Sequence, residues 1–86
     1  MTKQIKVLMV DDEKRFRDTT KKILMKKGFE TILAENGEEA LEKIKQDPDV
    51  VILDIKMPGM DGHEALAKIK KLRPALPAQA ISGRQY

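Results

Sequence analysis

The residues able to do chemistry in this chain are oxygen donors placed where apolar runs stop. Asp11-Asp12-Glu13 follow Ile5-Lys6-Val7-Leu8-Met9-Val10, Asp54 follows Val50-Val51-Ile52-Leu53, and Ser82 follows Ala80-Ile81. Three acids in a row repel one another in an ordinary turn, so the first cluster either points into water or waits for a cation. Carboxylates without His or Cys beside them suit a hard divalent cation such as Mg²⁺, which prefers oxygen ligands and keeps several waters. An acidic cluster with Mg²⁺ is also what phosphoryl transfer needs, because the metal neutralises phosphate oxygens while a carboxylate attacks. Ser82 offers a hydroxyl donor to the same oxygens.

For these groups to meet, the apolar runs must be neighbouring strands that point the same way. The continuous run Val50–Leu53 reads as a strand buried on both faces, the habit of parallel sheets. Residues 5–10 read as a first strand. From Lys14 to Lys27, Phe16, Thr20, Ile23 and Leu24 recur at the period of a helix with one buried face, and Gly28 stops it in the C′ manner. Phe29–Ala34 reads as a second strand, less apolar and so at a sheet edge. Asn36 is placed to cap a second helix, with Glu39 in the capping-box position and Ala40, Leu41 and Ile44 as its buried stripe. Pro48 closes the connection into the Val50 strand. After the turn holding Pro58, Gly59 and Gly62, Asp61 can cap a third helix that buries Ala65, Leu66, Ile69 and Leu72 and ends before Pro74. Pro77–Ser82 is a fourth, poorer strand interrupted by Gln79.

Strands alternating with helices mean right-handed βαβ units and a parallel α/β sheet. All strand carboxyl ends then lie on one rim, where open sheets bind their ligands. Asp11, Asp12, Asp54 and Ser82 share that rim.

At 86 residues and 41% hydrophobic composition, the chain (1–86) reads as one small globular domain. It has no Cys, which excludes disulfide frameworks and thiolate metal sites, and no apolar run approaches a membrane span; a cytoplasmic location is expected. The net charge of +3 is concentrated in Lys14, Arg15, Arg17, Lys21, Lys22, Lys26 and Lys27. Without interleaved aromatic residues for base stacking, these read as a solvated helix face, and direct nucleic-acid binding is not expected. His63, in a first helical turn, reads as a solvated residue and not as a phosphodonor.

Val10-Asp11-Asp12-Glu13, the Asp54-Ile55-Lys56-Met57-Pro58-Gly59-Met60-Asp61-Gly62 turn and Ala80-Ile81-Ser82-Gly83 together resemble the receiver domain of two-component response regulators, over nearly the whole chain. The resemblance implies a flavodoxin-like sheet of order 2-1-3-4-5. It implies that Asp54 accepts a phosphoryl group from a sensor histidine kinase or phosphotransfer protein. Asp11, Asp12 and Asp54, with the backbone carbonyl of Lys56, would hold Mg²⁺, and Ser82 would close on the aspartyl phosphate.

The family pattern continues past the fourth strand with a helix, a fifth strand carrying a Lys, and a last helix, whereas here only Arg84, Gln85 and Tyr86 follow Gly83. A sheet of order 2-1-3-4 is therefore expected, with impaired switching, an exposed fourth-strand edge and an uncovered sheet face that a homo-oligomer would cover. Two other classes of function fit the residues less well. One is an interaction or oligomerisation module with a vestigial acidic site. The other is a Mg²⁺-dependent phosphatase, which wants a second Asp where this chain has Lys56.

Overall fold

The computed structural model describes residues 4–54 and 62–81. Four strands, β1 (Lys6–Val10), β2 (Glu30–Ala34), β3 (Val50–Asp54) and β4 (Ala78–Ile81), form one parallel sheet in the order β2-β1-β3-β4. Helix α1 (Lys14–Lys26) joins β1 to β2, α2 (Gly37–Lys43) with a 3-10 turn (Ile44–Gln46) joins β2 to β3, and α3 (Gly62–Leu72) joins β3 to β4. The chain steps one way along the sheet from β1 to β2 and the other way thereafter. Right-handed crossovers then put α1 on one face and α2 with α3 on the other.

Local chemistry sets the element ends. Gly28, at φ 89°, closes α1 as the C′ residue: its N–H donates to Met25 O (3.1 Å) and the N–H of Phe29 donates to Leu24 O (2.9 Å). Asn36 caps α2 by accepting from the N–H of Glu39 at 2.7 Å. The Glu39 carboxylate reaches one residue further back than a standard capping box and accepts from the N–H of Glu35 at 2.6 Å. At the amino end of the sheet, the Lys6 N–H donates to the Asp49 carboxylate (2.8 Å) and the Asp49 N–H returns a bond to Lys6 O (2.7 Å), which fixes β1 against the entry to β3.

The core lies on the α2/α3 side. Leu8, Val10, Ile32, Ala34, Val51 and Leu53 from the strands meet Ala40, Ile44, Ala65 and Ile69 from the helices, and all are buried. Three sequence expectations need correction. Strand β3 is buried on one face only, since Val50 and Ile52 remain half-buried. Ile23, expected inside, is 50% exposed, and α1 has no buried residue. Both follow from one cause: among the described residues α1 alone covers its side of the sheet, and it packs mainly on β2 at the edge. Leu72 is 62% exposed because it is the last residue of α3, and Leu76 in the following turn packs against the core instead.

Candidate functional site

Asp11 is the first residue past β1, and bonds from its backbone and its side chain hold it. Its N–H donates to Ala34 O at 3.0 Å, extending the β1–β2 ladder by one residue. Its Oδ1 accepts from the Glu13 N–H at 2.8 Å, an Asx turn that launches α1. Its carbonyl accepts from Arg17 Nη1 at 2.6 Å. The residue is fully buried, whereas Asp12 and Glu13 are exposed. The acid run therefore divides: one carboxylate goes into the rim and two face water.

Asp54 is the last residue of β3. Its predecessor Leu53 is the Cα partner of Val10, the predecessor of Asp11, so the two aspartates hold the next position on adjacent strands. Such strands lie about 4.8 Å apart. On the other side Asp54 pairs with Ile81, the residue before Ser82. The sheet thus brings Asp11, Asp12 and the backbone of Asp54 to one stretch of rim. Lys56, Ser82, the Pro58 turn and Asp61 lie outside the described residues, and among the described residues no group of three His, Cys, Asp or Glu side chains forms a metal cage. His63 is exposed in the first turn of α3, as expected.

The chemistry of the donor set still fits a hard cation. The Asp11 carboxylate is wholly removed from water, where ionisation is costly without compensating charge, and a donor set of oxygens with no nitrogen or sulfur suits a metal that keeps some waters.

Arg17 was not legible as a site residue. Its side chain is only 12% exposed, and besides the Asp11 carbonyl it faces Glu35 Oε2 at 3.8 Å. Its charge groups it with the solvated lysines of α1, whereas its spacing to Thr20 and Leu24 puts it on the sheet-facing stripe. The other basic residues of that run are exposed.

An open parallel α/β sheet with an acidic rim at its strand carboxyl ends defines the class of protein. Comparison with known proteins gives the family: residues 7–86 match the response regulator receiver domain, and the chain belongs to that family. It is 49% identical over 69 residues to the chemotaxis protein CheY of Bacillus subtilis, covering 78% of this chain and 58% of that protein. It is 44% identical over 66 residues to sporulation initiation phosphotransferase F of the same organism, covering 76% and 53%. The chain thus spans little more than half the length of these relatives. The response regulator TrrA of Thermotoga maritima, solved in complex with Mg²⁺-BeF, superposes with a TM-score of 0.81 at 42% identity, covering 90% of this chain and 66% of that one. The chain is accordingly a receiver domain of two-component signalling, a family of signalling domains. Among the described residues no helix is long and apolar enough to cross a membrane.

Proposed function

We propose that Asp54 accepts a phosphoryl group from the phosphohistidine of a sensor kinase or phosphotransfer protein in the cytoplasm. The observation that carries this is the register Val10↔Leu53, which sets the buried Asp11 and the strand-end Asp54 side by side. In the transfer, a carboxylate oxygen of Asp54 bonds to phosphorus while the phosphorus–nitrogen bond breaks, and the imidazole keeps the electron pair. Asp11, Asp12, Asp54 and the carbonyl of Lys56 would hold Mg²⁺, which supplies neutralising charge to the phosphoryl oxygens. Ser82 would donate its hydroxyl to one of those oxygens. The relative from Thermotoga maritima, solved with Mg²⁺-BeF, supports the metal assignment.

Incubation with Mg²⁺ and acetyl phosphate, followed by intact-mass measurement, tests the reading. One added phosphoryl group is expected, lost in Asp54→Asn and on chelation of the metal. An unchanged mass, or phosphorylation that persists in Asp54→Asn, would overturn it.

Ile23 and Met25, 50% and 57% exposed, favour a second reading beside the first: two copies of the chain associate through the α1 side of the sheet. Sedimentation across a range of concentrations tests it, and a monomer throughout would refute it.

A further inference from the structure

We infer that Arg17 is a positioning residue for the acidic rim, clamping the turn that carries Asp11 and Asp12 against the neighbouring β2–α2 loop. The inference rests on the phosphoacceptor reading above for its function, though the clamp itself is visible without it. Arg17 lies in the first turn of α1, and its side chain reaches back to Asp11, in the turn that precedes the helix. Its Nη1 donates to the Asp11 carbonyl at 2.6 Å, and its Nη2 lies 3.8 Å from Glu35 Oε2.

The remainder of the loop chemistry locks both ends of this link. On one side Asp11 is held by the Ala34 carbonyl and itself holds the N–H of Glu13. On the other, the Glu39 carboxylate accepts from the N–H of Glu35, and Asn36 accepts from that of Glu39. Arg17 joins the two networks. The Arg17 side chain as a whole is 12% exposed, so much of its hydration is lost, and the hydrogen bond to the Asp11 carbonyl with the counter-charge of Glu35 offsets that loss. Lysine presents a point charge on a flexible stem and cannot reproduce the fork that reaches a carbonyl and a carboxylate together.

The clamp acts on the backbone of Asp11, so its consequence is geometric. Metal ligands must be held within about 0.5 Å of their working positions, and residues that orient ligands typically contribute about 10- to 100-fold in metal affinity. The charge of Arg17 acts in the opposite sense, because a nearby cation opposes Mg²⁺. The two contributions therefore separate in variants.

The test uses the full chain with Arg17→Lys and Arg17→Gln. In the absence of metal, amide hydrogen exchange is followed at Glu13, whose N–H is held by the Asp11 carboxylate, with Leu8, Val10 and Ala65 as references for the core. Mg²⁺ affinity is then measured by titration. The clamp predicts exchange at Glu13 about tenfold faster in both variants with the core amides unchanged, and Mg²⁺ affinity weakened about tenfold or more in both. Unchanged exchange at Glu13 would overturn it. So would Mg²⁺ binding that is unaltered in Arg17→Lys and tightened in Arg17→Gln, since Arg17 would then act as a charge alone. Equal acceleration at Leu8, Val10 and Ala65 would make Arg17 a general stabiliser and overturn the assignment as well. If the unaltered chain binds no Mg²⁺, the phosphoacceptor reading fails, while exchange at Glu13 still decides the clamp.

Discussion

The two faces of the sheet are built from the same four strands and differ in nearly everything else. On the α2/α3 face, Leu8, Val10, Ile32, Ala34, Val51 and Leu53 are all buried, and two helices supply Ala40, Ile44, Ala65 and Ile69 to meet them. On the α1 face Val7 and Met9 of the central β1 are buried, but Thr31, Leu33, Val50 and Ile52 are only half-buried, and α1 buries no residue completely. The hydroxyl of Thr31 has no hydrogen-bond partner among the described residues. One face is held by packing. The other is held at its carboxyl rim by polar bonds, those of Arg17 and the Asp11 turn, which is also where the acids gather. The rim is thus anchored from below by the packed face, through β1 and β3, and from the side by the clamp.

The largest expected effect that tests this contrast is Leu53→Ala. The side chain is fully buried in the packed face, and its removal should cost about 2–5 kcal/mol, read as a lower urea midpoint. Its neighbour Ile52 points to the other face, and Ile52→Ala should cost roughly half as much, about 1–2 kcal/mol, in the same measurement. If the two losses are equal at high protein concentration and diverge on dilution, a second copy covers the α1 face, as the association reading requires. Asn36→Ala, which removes the cap of α2, should cost about 1 kcal/mol in urea unfolding, because the N–H of Glu39 loses its acceptor. Smallest of all, Ile23→Ala should change stability by less than about 0.5 kcal/mol in a dilute monomer, since half of the residue already lies in water. A loss above about 1 kcal/mol there would break the contrast between the faces.

Legibility followed the range of the interactions. Gly28 and Asn36 were readable because a helix end is decided within four or five residues, and both sit where their types place them. The alternation of strands with helices made the parallel sheet readable, and with it the adjacent backbone positions of Asp11 and Asp54 at the ends of β1 and β3. The exposure of Ile23 was hidden because α1 has an amphipathic stripe whose burial depends on what else lies on its face of the sheet. Leu72 misled for a related reason: the helical period continues to the last residue, while the hydrophobic contact passes to Leu76. Arg17 was hidden among basic residues of the same charge: its spacing to Thr20 and Leu24 hints at the sheet-facing stripe, but only three-dimensional proximity shows that it meets the Asp11 carbonyl and Glu35. The expectations for Lys56, the Pro58 turn, Asp61 and Ser82 fall outside the described residues.

The central claim is that acids from two adjacent strands work as a single site. A Mg²⁺ titration of the full chain, followed at the backbone amides of Asp11, Asp12, Glu13 and Asp54 together with Lys6 and Asp49, tests it most directly. The account predicts that the rim amides of β1 and β3 shift along one shared saturation curve, that Lys6 and Asp49 at the opposite end of the sheet do not move, and that Asp11→Asn and Asp54→Asn each weaken the response on both strands. Separate curves for the two strands, or shifts of similar size at both ends of the sheet, would contradict it.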